Sequence, residues 1–183
     1  MHPNDLKELL TAVRDGTLSP AEGLDRLRNF PVEDVGIAQI DHHRELRQGV
    51  PEIILGEHKS LDQLLTIVDS MTRQGSNVLA TRLDDAKGEG LVGAFAAGSH
   101  DRVARTFTLI QKPVQPVGRG RVLIVCAGTS DLPVAREAAV TARLLGNEVE
   151  ELVDVGVAGI HRLLARADRL REATVVIVVA GME

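Results

Sequence analysis

The sequence predicts an α/β protein: a small N-terminal α+β domain, then part of a three-layer α/β/α doubly wound parallel sheet. Three observations carry this reading. Six of the seven residues from Val122 to Gly128 are apolar, which reads as a buried strand running into a small-residue turn. From residue 121 onward the periodicity runs strand, helix, strand, helix, strand, the layout of a parallel doubly wound sheet. Charge also shifts along the chain: residues 1–110 carry 12 Lys/Arg against 17 Asp/Glu, whereas residues 111–183 carry nine of each. The predicted division is therefore 1–110, a linker at 111–120, and 121–183.

Within the first part, Asn4 to Asp15 reads as an amphipathic helix with Leu6, Leu9, Leu10 and Val13 on one face, ended by Gly16. Ser19-Pro-Ala-Glu22 has capping-box spacing with proline at the first helical position, and opens a helix through Arg28. Val35–Ile40 and Glu52–Leu55 read as strands. Ser60 caps a helix carrying Leu61, Leu64, Leu65, Val68 and Met71, which Gly75 closes. Asn77–Leu83 reads as a strand, Asp84–Ala96 as a helix weakened by Gly88, Gly90 and Gly93, and Val103–Ile110 as the last strand. Gln111 to Gly120 holds two prolines and two glycines, and reads as a linker or as a strap across the next domain.

In the second part, Thr129, Ser130 and Asp131 are three N-cap candidates, with Pro133 just inside the helix. Leu132, Ala135, Ala139 and Ala142 recur at helical spacing, and Gly146 sits where a left-handed C-cap belongs. A strand Glu148–Val155, a helix around Ile160–Ala167 and a strand Thr174–Ala180 complete the pattern. Three parallel strands make a thin core, and a chain that stops directly after a buried strand reads as a truncated form of something longer.

The totals exclude several classes. No apolar run approaches the ~20 residues of a membrane span, and the N-terminus lacks the layout of a signal peptide. A single cysteine precludes an internal disulfide and a cysteine-based zinc site, which suits a cytoplasmic protein. A net charge of −5, with no Trp, no Tyr and three Phe, argues against a nucleic-acid partner.

Four stretches could carry chemistry. Gly128-Thr129-Ser130-Asp131 lies beyond a parallel strand at a helix N-terminus, where backbone N–H groups suit a phosphate or carboxylate. Asp131 fits a cap or a catalytic carboxylate there, and Ser130 a cap or a phosphate ligand; the bland alternative is a well-capped helix after a strand. Cys126 reads as core rather than nucleophile. Asp154-Val-Gly156-Val157-Ala158-Gly159-Ile-His161-Arg162 follows the next strand, and pairs close backbone approach with a titratable group and an anion anchor. Parallel strands would open both loops at one sheet edge. Gly181-Met-Glu183 would place a carboxylate on the same rim. In the first part, Arg44, Arg47 and Lys59 are possible phosphate contacts. The adjacent His42 and His43 would point apart on an extended backbone, which disfavours a metal site; the segment otherwise reads as a solvated loop leading to an edge strand.

Gly-Thr-Ser-Asp-Leu-Pro-Val-Ala, Asp-Val-Gly-Val-Ala-Gly-Ile-His-Arg-Leu-Leu and Val-Val-Ala-Gly-Met-Glu resemble the pyridinium-3,5-biscarboxylic acid mononucleotide synthase family, as do Arg-Glu-Leu-Arg-Gln-Gly-Val-Pro-Glu and Gly-Glu-His-Lys-Ser. That family performs the first step of nickel-pincer nucleotide synthesis, toward the lactate racemase cofactor. More distantly, the second part resembles the aminoimidazole ribonucleotide carboxylases and mutases, which implies a PurE-like, flavodoxin-like sheet. Those enzymes continue Thr-Pro where this chain has Leu163-Leu164, and carry an Ala-His-Leu-Pro loop where it has Gly181-Met-Glu183; purine carboxylation is thus the alternative, beside a non-catalytic nucleotide-binding module.

The resemblance implies carboxylation of nicotinic acid adenine dinucleotide with CO2 or bicarbonate as co-substrate, then release of AMP. It implies Glu183 as general base or positioner of water, and Asp131 as an orienting or proton-holding group. Gly128, Thr129, Ser130, Asp154, Gly156 to Arg162 and Gly181 would hold substrate. Mg2+ would assist phosphoanhydride cleavage, and the intact protein would be a homo-octamer. The family's thiol lies in an Asn-Ser-Cys segment beyond the Gly-Met-Glu match; Cys126 does not correspond to it.

Overall fold

The structure, a computed structural model of the 183-residue chain, describes residues 3–27 and 30–181. It mixes helices with three small sheets, one of them wholly parallel, and so has an α/β fold. Among the described residues no helix is long and apolar enough to cross a membrane.

Helix α1 (Pro3–Arg14) ends at Gly16, whose φ of +72° favours glycine. Leu9 is buried on it but Leu10 is exposed, so the apolar stripe is narrower than its spacing predicts. Helix α2 (Pro20–Arg26) has the expected reciprocal capping box between Ser19 and Glu22; its predicted extension to Arg28 lies outside the described residues. Of the single strand predicted over Val35–Ile40, only Gln39 and Ile40 are extended, in β2 (Gln39–Asp41); residues 35–38 are the turn of a hairpin that joins it to β1 (Val32–Asp34). The Asp34 carboxylate accepts from the Gly36 N–H at 2.7 Å, and this side-chain turn outcompetes the extended backbone.

The segment read as a solvated loop contains a short helix, α3 (Arg44–Gln48), and a buried His42. His43 starts that helix with helical dihedrals, so the backbone at the histidine pair is not extended. The core explains the burial. Glu33 accepts from Ser70 Oγ at 2.6 Å and lies 2.9 Å from His42 Nε2, binding the hairpin to helix α4 (Leu61–Arg73).

The main N-terminal sheet has the order β3-β4-β6-β5, with β3 (Ile53–Leu55) parallel to β4 (Val78–Thr81) and the other pairs antiparallel. The region predicted as one strand, Val103–Ile110, supplies only β6 (Thr106–Leu109). Its hairpin partner β5 (Gly98–Asp101) was not legible, because Gly-Ser-His-Asp has neither β-branched residues nor alternation. Helix α4 buries Leu64, Ile67, Val68 and Met71 against this sheet, beside Phe107 and Leu91 of α5 (Asp85–Ala94). Gly56 ends β3 where a Cβ would stand 3.0 Å from the Thr81 carbonyl oxygen, so glycine permits the close approach of β3 to β4.

Residues 111–120 form a strap, tied at both ends. Asn77 Oδ1 accepts from the Gln111 and Lys112 N–H groups, and the Gly146 carbonyl accepts from Val117 and Gly118. Beyond it, β7 (Arg121–Cys126) lies between β8 (Glu148–Leu152) and β9 (Val175–Val179), all parallel. Helix α6 (Leu132–Leu144) covers one face through Ala135 and Ala139. The other face is covered by α7 (Ile160–Leu164) and α8 (Ala167–Glu172), two helices where the periodicity predicts one.

Candidate functional site

The three strands of the parallel sheet end together, and the loops that leave them are stitched by backbone bonds. Ala127 N–H donates to the Val179 carbonyl, Val155 N–H to Cys126 and Gly156 N–H to Ala127. A Cβ at Gly156 would stand 3.1 Å from the Ala127 carbonyl oxygen, so this glycine brings the second loop onto the first.

Asp131 is the centre of the rim. Its Oδ2 accepts from the Gly128 N–H at 3.0 Å, and its Oδ1 accepts from the Gly181 N–H at 2.9 Å. One carboxylate thus clasps the ends of β7 and β9. A side chain at Gly181 would meet Asp131 Oδ1 at 2.9 Å, which explains glycine there. This arrangement changes the capping prediction. Thr129–Asp131 form a 3-10 turn, and none of the three side chains caps α6. Thr129 and Ser130 are exposed.

The second loop carries Asp154 at a left-handed φ of +59°, an infrequent conformation for a non-glycine residue. Arg162 Nη1 donates to Asp154 Oδ2 at 2.5 Å. The Arg162 guanidinium lies over Gly159, where a Cβ would meet its Nε at 2.7 Å. Gly156, Val157, Ala158 and Gly159 form the turn into α7, and His161 is exposed at its start. Glu183 lies outside the described residues.

Cys126 is buried at the end of β7, with its thiol donating to the Gly128 carbonyl at 3.0 Å. Burial, and after it the charge of Asp131, push its pKa up and disfavour the thiolate. Arg44 and Arg47 ride on α3; Arg47 Nη2 donates to Asp41 at 2.6 Å, and Arg44 Nε is buried without a partner. Lys59 is half-buried beside the Ser60 cap of α4.

Among the described residues no group of three His, Cys, Asp or Glu could hold a metal ion, and both Asp131 oxygens face N–H donors.

Residues 32–112 match a family model described as the LarB/PurE-like N-terminal domain. Over 187 aligned residues, the chain is 34% identical to an uncharacterized protein of Methanocaldococcus jannaschii, covering 98% of this chain and 73% of that protein. The chain belongs to the LarB/PurE-like family. The parallel pairing of β7 with β8 and β9 agrees with the α/β fold expected of that family.

Two residues of this region escaped sequence reasoning. Arg82 and Arg105 both have φ of +55° and line a groove between the N-terminal sheet and α6. Left-handed arginine has no compositional signature, and only the folded backbone reveals it.

Proposed function

We propose that the chain carries the carboxylase chemistry of this family on nicotinic acid adenine dinucleotide, with CO2 or bicarbonate as carbon donor and AMP as the second product. The observation that carries the reading is the Asp131 carboxylate joining Gly128 and Gly181 across two strand ends, in a chain of LarB/PurE-like relationship. Open α/β sheets bind ligands at this edge.

The chemistry sets the needs of the site. A pyridinium ring is electron-poor and does not attack CO2. Addition of a thiolate to the ring yields an enamine, whose carbon then forms the new C–C bond. A base removes the proton from that carbon, and expulsion of the thiolate restores the pyridinium. Water then cleaves the phosphoanhydride between the two nucleotides. In this reading Gly128 to Ser130 and Gly156 to Arg162 hold the phosphate and ribose of the pyridinium half. Asp131 fixes the loops and orients the ring, and Glu183 acts as general base or positions water. Cys126, buried with a raised pKa, does not serve as the thiolate; that role falls to the cysteine of the family's Asn-Ser-Cys segment.

Mass spectrometry of mixtures with the dinucleotide and labelled bicarbonate tests this, using the chain and a longer form bearing the Asn-Ser-Cys segment. Label in a dicarboxylated mononucleotide, with AMP, from the longer form only is the expected result. Failure of both forms to make product or bind the dinucleotide would sink the reading. Carboxylation of aminoimidazole ribonucleotide instead would shift the assignment to purine chemistry.

A further inference from the structure

A groove of about 610 Å³ separates the N-terminal sheet from α6 and the open face of β9. Its N-terminal wall holds Arg82, Arg105 and Glu57; its other wall holds Glu137 amid apolar residues, among them Pro133, Val134 and Ile177. The rim just described does not use these residues.

The two arginines are set with care. Each occupies a left-handed backbone position, which is strained for a non-glycine residue. Their connections are locked together: the Leu83 N–H donates to the Arg105 carbonyl at 2.9 Å, and Arg105 Nε donates back to the Leu83 carbonyl at 2.9 Å. The guanidinium of Arg105 is therefore oriented through Nε, while its two Nη groups have no hydrogen-bond or ion-pair partner among the described residues. Arg82 is held loosely, 3.4 Å from Glu57 and 3.9 Å from Glu137. An oriented guanidinium with both Nη groups unpartnered suits a phosphate. Carboxylates nearby accept from ribose hydroxyls, and an apolar wall suits a flat base.

We infer that this groove is a nucleotide subsite that takes the adenylate end of the dinucleotide, with Arg105 on its phosphate and Arg82 beside it. The inference rests on the reading above. Its geometry follows from α6: Pro133 and Val134, on the first turn, line the groove directly after the Gly128–Asp131 loop. The groove runs along α6 from that first turn to Ala142 and Leu145, so a dinucleotide whose pyridinium lies at the rim enters it past Pro133 and Val134 to place its second nucleotide there. The N-terminal region then supplies half of the substrate site.

Calorimetric titration of the full chain with AMP, nicotinic acid mononucleotide and inorganic phosphate tests the subsite. Arg105→Gly removes the guanidinium while glycine accepts the left-handed φ, and R82G does the same at its position. AMP is expected to bind more tightly than inorganic phosphate, and R105G to weaken AMP at least ~10-fold while leaving the mononucleotide unchanged. Unchanged AMP affinity in a folded R105G, or no AMP binding by the parent chain, overturns the proposal. Should R105G fail to fold, R105K keeps the charge without the fork, and an unchanged AMP affinity there overturns it equally. Arg105-dependent AMP binding without labelled product leaves the subsite standing and removes the synthase reading. Labelled product with a dinucleotide KM indifferent to R105G does the reverse.

Discussion

At the scale of single residues, Asp131 and Glu33 are carboxylates that each join segments distant in the chain. Asp131→Asn would turn an amide N–H toward one of two glycine N–H donors. The expected cost is about 1–3 kcal/mol in urea unfolding, together with loss of dinucleotide binding. A stability equal to that of the parent would show the clasp to be incidental. Glu33 is held below the ordinary carboxylate range, first by the Ser70 hydroxyl and then by His42, against the opposing effect of burial. A depressed carboxyl pKa contributes stability that is fully present above its unfolded value and is lost as pH falls through the folded one. Urea midpoints measured from pH 6 down to pH 3 should therefore fall in the parent from roughly pH 5 downward, and fall less in E33Q. Identical profiles in both would place the acid sensitivity elsewhere. Neither carboxylate could be ranked in advance, since the sequence prints 26 acidic residues in one style and only the partners distinguish them.

At the scale of elements, local chemistry decided most boundaries. Ser19-Pro-Ala-Glu22 and Ser60 with Gln63 both form reciprocal capping boxes, and Gly16, Gly75 and Gly146 all take positive φ at helix ends. Ser60→Ala should cost α4 about 1 kcal/mol in urea unfolding, because the Gln63 N–H loses its acceptor. A change below a few tenths would mean that packing alone holds that end. Elements lacking such chemistry were misread. Strand β5 is Gly-Ser-His-Asp, a strand only because β6 pairs with it. The β1–β2 hairpin hid in an apolar stretch because the Asx turn at Asp34 outweighs propensity.

At the scale of the whole molecule, β9 and the groove matter most. Val175 to Val178 are exposed on both faces of an edge strand, with Val178 at 65%. A flat apolar edge invites pairing with another chain. Sedimentation should show concentration-dependent association that Val178→Lys reduces; a parent chain that stays monomeric throughout would refute this. The sequence by itself determined the parallel α/β character, the helix caps and the glycine loops, because these depend on periodicity and on bonds within a few residues. It also carried the family motifs. Only the tertiary structure decided that Asp131 would clasp Gly181, fifty residues away, rather than cap α6. It likewise decided that Glu33 would meet His42 and Ser70, and that Arg82 and Arg105 would face α6 across a groove. Those juxtapositions depend on which strands pair and in what register. Long-range packing sets that pairing, and no local pattern in the chain encodes it.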